Sequence, residues 1–197
     1  EILDDDGMRL TGVLVTHYHP DHVGGDMMGW SIEGVRELLA LDGVSARVHV
    51  QADEAHGTKR VTGCADSDLV VHSSGDVVSV GAIDITLIHT PGHTPGSQCF
   101  WLEAGAGGVP GGGGRLVSGD TLFLDGCGRT DLPGGDPAAL YESLTQKLAS
   151  VPDDAVLYPG HLYAPEPHAP LGEVRSRNYV FRPKTREQWM MMFGHDG

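Results

Sequence analysis

The stretch Thr16-His17-Tyr18-His19-Pro20-Asp21-His22 sets four ligand-competent side chains within six residues. It follows directly on Leu10 to Thr16 (LTGVLVT), a short apolar, β-branched run that reads as a buried strand. In extended backbone, residues i and i+2 project to the same side, so His17 and His19 can converge on one ion. A turn at Pro20 re-aims Asp21 and His22 toward a neighbouring position. Imidazole and carboxylate together suit zinc, iron or manganese rather than calcium. Chance decoration of a solvated loop is a poor explanation for four such residues at the end of a buried strand.

Three more candidates end apolar runs in the same way. His93 lies in His89-Thr90-Pro91-Gly92-His93-Thr94-Pro95-Gly96-Ser97, Asp120 in Ser118-Gly119-Asp120-Thr121, and His161 in Tyr158-Pro159-Gly160-His161. Strand ends at one rim of a sheet are where α/β proteins assemble sites. Taken singly, each is an ordinary turn; together they repeat one placement. The chain holds 11 histidines, and a residue so poor as filler invites a search for ligands.

The rest of the chain alternates strand and helix patterns, which predicts a layered α/β class. A helix is expected to start at Val23-Gly24-Gly25, and another over Ser31 to Leu41 with Ser31 as N-cap. Strands are expected at Arg47 to Val50, Asp76 to Val80, Ile83 to Thr90, Gln98 to Glu103, Arg115 to Ser118 and Ala155 to Tyr158. Asp53 to Lys59 reads as a short helix capped by Asp53. Pro137 to Ala149 reads as a helix with Asp136 as N-cap and Leu140, Leu144 and Leu148 on one stripe. Thr185 to Phe193 reads as a closing helix with Trp189, Met192 and Phe193 inward. Gly105 to Gly114 cannot pack as helix or strand and reads as a loose surface loop.

Composition excludes several classes. The chain has 197 residues, enough to bury a core as one domain over 1–197, with 40% hydrophobic and 20% charged residues. A net charge of −14, from 27 acidic against 13 basic residues, argues against nucleic acid and anionic membranes as partners. No apolar run reaches the roughly 18–20 residues of a membrane span. Cys64, Cys99 and Cys127 form no CxxC pair and read as free thiols of a reducing cytoplasm. Glu1 to Gly7 reads as the tail of a helix ending at a glycine C-cap, as if the chain started in mid-architecture.

The order HxHxDH, then His, Asp and His, resembles the metallo-β-lactamase superfamily over His17 to His161. The resemblance implies an αββα sandwich. Only sixteen residues precede His17, so the first strands of its N-terminal half are expected to be missing. It implies His17, His19 and His93 on one metal, and Asp21, His22 and His161 on a second, with Asp120 bridging. Two divalent ions, zinc first, would hold a water, lower its pKa and deliver a hydroxide to a carbonyl. Asp21 and Asp120 are the carboxylates expected to take part in catalysis.

Within the superfamily, true β-lactamases carry Cys or Ser where this chain has Asp120, which argues against lactam hydrolysis. Gly126-Cys127-Gly128-Arg129-Thr130-Asp131, with Gly135-Asp136-Pro137 after it, is similar to glyoxalase II (hydroxyacylglutathione hydrolase) and to the persulfide dioxygenases, and resembles the dioxygenases somewhat more. Both imply a small thiol-conjugate substrate. The first implies a dinuclear thioesterase. The second implies one iron(II) on His17, His93 and Asp120. Arg129, Tyr163, Arg182 and Lys184 are the expected substrate contacts, with Arg175, Arg177 and Arg186 completing a basic stretch. His89 is the best candidate to support a ligand from behind. Oligomeric state is not legible.

Overall fold

The computed structural model describes residues 5–105 and 112–194. The chain divides into two compact units, Glu1–His72 and Ser73–Gly197.

The first unit is built on a three-stranded parallel sheet. Strand β1 (Gly12–Leu14) leads into helix α1 (Pro20–Val23), a hairpin of β2 (Gly25–Met27) and β3 (Trp30–Ile32), and helix α2 (Val35–Leu39). Strand β4 (Arg47–Gln51) then runs through a 3₁₀ turn (Ala52–Glu54) into α3 (Ala55–Thr62), and β5 (Leu69–His72) closes the unit. The sheet order is β1-β4-β5, and both pairs are parallel, so helices make the crossovers. Val15, Val23, Val35, Val48, Val50 and Leu69 form its buried core.

Several expectations change here. Val23-Gly24-Gly25 ends a helix instead of starting one, because Gly24 at φ 82 caps α1 through a bond from its N–H to the Pro20 carbonyl. Ser31 lies in β3, and the helix begins after Gly34, whose N–H is accepted by the Glu37 side chain at 2.8 Å. The hairpin escaped the periodicity because its hydrophobics face water: Met28 is 95% exposed and Trp30 77%. Asp53 is not the cap it was expected to be; the Gln51 side chain accepts from its N–H instead.

The second unit holds a six-stranded sheet of β6 (Val77–Val80), β7 (Ile83–His89), β8 (Gln98–Leu102), β9 (Arg115–Gly119), β10 (Val156–Pro159) and β11 (Ala169–Pro170). The order is β11-β10-β9-β8-β7-β6. Every pair is antiparallel except β9 with β10. It follows that β7, β9 and β10 all run the same way, and their C-terminal ends share one rim. Helix α4 (Pro137–Glu142) lies in the β9–β10 crossover, and α5 (Leu171–Arg177) and α6 (Arg186–Phe193) follow the sheet.

Asp136 caps α4 as expected, accepting from the N–H groups of Ala138 and Ala139. Leu140, Leu144 and Leu148 are buried, each worth about 2 kcal/mol of transferred apolar surface. The helix does not stay α to Ala149: it widens to a π turn over Ser143–Lys147 and tightens to 3₁₀ over Leu148–Ser150. Ser143 there donates to the Pro91 carbonyl instead of to its own helix. In α6, Trp189 is buried and Phe193 packs on the same core, but Met192 is 55% exposed and does not point inward. Most of the Gly105 to Gly114 loop, like residues 1–4, lies outside the described residues.

Candidate metal centre

In the first unit, the end of β1 delivers the HxHxDH run. His17 is buried, and its ring centroid lies 4.8 Å from that of His19 and 4.1 Å from that of His22. The Thr16 hydroxyl meets His17 Nδ1 at 3.2 Å, which orients that ring. Pro20 opens α1, where its missing N–H costs nothing. The turn brings Asp21 Oδ2 to 3.7 Å from His22 Nε2. The rings of His19 and His22 thus both lie beside His17, with the Asp21 carboxylate next to His22.

What holds them is not in the motif. The buried carboxylate of Glu54 accepts the Tyr18 backbone N–H at 2.7 Å. That bond spans 36 residues and fixes the loop between His17 and His19. Tyr18 lies against α3, where Gly57 leaves room for its ring. Burial, then the Glu54 charge, pushes the Tyr18 phenol above its ordinary range, with Arg60 over the ring opposing them.

In the second unit, His93, Asp120 and His161 stand at the rim shared by β7, β9 and β10. Asp120 Oδ2 lies 3.6 Å from His93 Nε2 and 3.4 Å from His161 Nε2. His93 Nδ1 donates to the Arg129 carbonyl at 2.8 Å, because a carbonyl can only accept. That fixes the tautomer and turns Nε2 toward the carboxylate. Gly128 is required beside it: a Cβ there would lie 2.8 Å from the His93 ring. The buried hydroxyls of Thr90 and Thr121 bond at 2.8 Å, tying the His93 loop to the Asp120 turn across 31 residues. His89 braces the same loop through the Pro95 carbonyl at 2.9 Å.

The expected substrate residues are placed variously. Tyr163 is 65% exposed and stacks on His161, centroids 5.0 Å apart at 12°. Arg129 is exposed and held by both carboxylate oxygens of Asp131, which raise its pKa. Lys184 gives its ammonium to the Phe181 carbonyl, while Arg182 is an exposed residue after the 3₁₀ turn Tyr179–Phe181. The basic stretch is not one patch, since Arg175 is taken by Asp153 and the Leu148 carbonyl. Burial pushes the Cys99 thiol up to about 11 and Cys127 up to about 12, so neither offers a thiolate nucleophile.

Imidazole and carboxylate donors, one with its tautomer fixed from behind, are the donor set of a divalent transition metal. A family model described as the metallo-beta-lactamase superfamily matches residues 1–161. The chain belongs to the metallo-β-lactamase superfamily. A superfamily relative named hydroxyacylglutathione hydrolase, from Rhodopseudomonas palustris, is 37% identical over 161 residues, covering 82% of this chain and 52% of its own length. The chain thus spans about half the length of that hydrolase. Among solved structures, ETHE1 from Myxococcus xanthus matches with a TM-score of 0.75 at 28% identity, over 98% of this chain and 72% of that one. TTHA1623 in a di-iron-bound form matches with a TM-score of 0.63 at 30% identity, over 91% and 81%. The mixed α/β architecture is therefore that of the metallo-β-lactamase fold. Among the described residues, no helix is long and apolar enough to cross a membrane.

Proposed function

We propose that this superfamily member is a metal-dependent hydrolase that cleaves the thioester of a small thiol conjugate, in the manner of glyoxalase II. The observation that carries the reading is the Asp120 carboxylate, with His93 and His161 aimed at one oxygen. It is supported by the hydroxyacylglutathione hydrolase relatives. His17, His19 and His93 would hold one divalent ion, and Asp21, His22 and His161 a second, with Asp120 shared. Zinc is the first expectation. Bound metal would supply Lewis acidity, polarising a carbonyl and lowering the pKa of a water.

The chain's own residues do the rest. The Arg129 carbonyl, the Thr16 hydroxyl and the Thr90–Thr121 pair hold ligand rings and turns in place. Asp21 accepts the proton released as the acyl bond is attacked, at a carboxylate already oriented beside His22. Tyr163 forms a flat wall over His161 along which the conjugate lies. The three cysteines are free, which fits a reducing compartment such as the cytoplasm.

A second reading, one iron(II) on His17, His93 and Asp120 serving a persulfide dioxygenase, is favoured by the Gly126 to Asp131 run. Metal analysis of protein purified without added metal separates the two. Two equivalents of zinc with thiol release from an acyl-glutathione support the hydrolase. One equivalent of iron with O₂ uptake on glutathione persulfide overturns it. Asp120→Ala should abolish metal loading and lower the rate at least a thousandfold, and retention of both would sink the site.

A further inference from the structure

We propose that a cleft lined by Gly25, Asp26, Arg36 and Arg60 binds a free amino acid, its carboxylate on the arginines and its ammonium on Asp26 and the end of α3. The site lies wholly within the first unit and does not depend on the hydrolase reading. The cleft has a volume of about 220 Å³. That is below the roughly 300–1,000 Å³ of pockets for drug-sized molecules, and it suits a molecule of a few heavy atoms.

Glycines build the cleft. A Cβ on Gly24 would lie 2.6 Å from the Gly34 Cα, and one on Gly25 would lie 2.9 Å from Val61 Cγ1 and 3.0 Å from the Val61 carbonyl oxygen. Only bare backbone lets the base of the β2–β3 hairpin come this close to the start of α2 and the end of α3. At that end, Gly63 at φ 75 caps α3 through a bond from its N–H to the Lys59 carbonyl. Among the described residues, no hydrogen bond reaches the carbonyls of Arg60, Val61 and Thr62. Open carbonyls at a helix C-terminus carry the negative end of its dipole and accept readily from an ammonium.

Charge selects the occupant. Neighbouring Lys59 is taken by Asp66, whereas Arg36 and Arg60 form no ion pair among the described residues. The Arg60 guanidinium is held over the Tyr18 ring, 5.8 Å from its centroid. Two carboxylates share the cleft with these cations. Glu37 is spent on the Gly34 N–H at 2.8 Å, while Asp26 is exposed and forms no ion pair among the described residues. A simple anion would gain the arginines but face both acids and the helix end. A polyanion would be repelled further by a chain of net charge −14. A simple cation would face two guanidinium groups. A zwitterion satisfies both signs at once.

The test is an NMR titration of the zinc-loaded, nitrogen-15-labelled protein with glycine, read from backbone amide shifts. Saturable shifts should centre on Gly24, Gly25 and residues 61–63, with a dissociation constant of about 1 mM, the strength of a few exposed ionic contacts. Acetate and methylamine, each one half of the zwitterion, should bind at least about tenfold more weakly. Asp26→Asn and the double variant Arg36→Ala, Arg60→Ala change exposed side chains, and each should weaken glycine about tenfold. An amino acid can also chelate zinc itself, so the titration is repeated in Asp120→Ala, where the same shifts and affinity are expected. Shifts confined to the proposed metal ligands, binding lost in Asp120→Ala, acetate or methylamine matching glycine, unaltered affinity in either charge variant, or no saturable binding would each overturn the proposal. Binding is read without turnover, so failure to cleave any thioester would sink the hydrolase reading and leave this result legible.

Discussion

His49 and His72 face each other across β4 and β5, with Nδ1 of one 2.8 Å from Nε2 of the other. One proton serves that bond, and a second has no place in it. Burial holds the His49 pKa below its ordinary value, and the neighbouring His72 and Arg47 charges push the same way. The folded chain therefore binds this proton less readily than the unfolded chain, and stability rises with pH across the window. It is intact above the unfolded value of about 6.5 and is lost as pH falls from there through the lower folded value. We expect His49→Gln, melted in chelator between pH 8 and pH 5, to lose less thermal stability on acidification than the wild type. Parallel curves would show that the pair contributes nothing to the pH dependence.

Helix α3 shows how an element can govern a site it does not contain. Gly57 in the middle of α3 touches the Tyr18 ring, and Tyr18 separates two proposed ligands. In an open helix, Gly57→Ala would gain about 1 kcal/mol of propensity. Here the new Cβ lands on the ring, and overpacking costs about 1–3 kcal/mol. The second effect wins, so Gly57→Ala should lower stability by up to about 2 kcal/mol and weaken zinc binding, read by melting and by competition with a chromogenic chelator. A stabilised variant with unchanged zinc affinity would refute this. The proposed ligands stand out in the sequence because each run of them follows an apolar stretch, a pattern local in sequence. Glu54, Thr90 with Thr121, and Asn178 do not, because they act on backbone or partners 31 to 55 residues away. Helix α4 was legible at its cap and stripe, and unreadable where Ser143 turned its hydroxyl to Pro91. The β2–β3 hairpin was unreadable because Met28 and Trp30 face water, so no alternation marks it.

The whole chain carries a net charge of −14, and like charges held close cost folding energy that a bound cation relieves. The proposed ligands are spread along the sequence from His17 to His161. An unfolded chain holds no such set in place, so metal should bind the native state preferentially and stabilise it by mass action. With free ion a thousandfold above its dissociation constant the gain is about 4 kcal/mol. For a chain of this size each kcal/mol moves the melting temperature by about 2–4 °C, so chelation should lower it by about 8–16 °C. Screening alone would give part of that effect with any salt, and this fixes the controls. Sodium chloride at matched ionic strength should recover little of the loss, and zinc nearly all of it. Asp120→Ala should melt at one temperature with or without chelator. If salt restores as much as zinc, or if chelation leaves the melt unmoved, the acidic charge is ordinary surface and the metal centre is not part of what holds the chain folded.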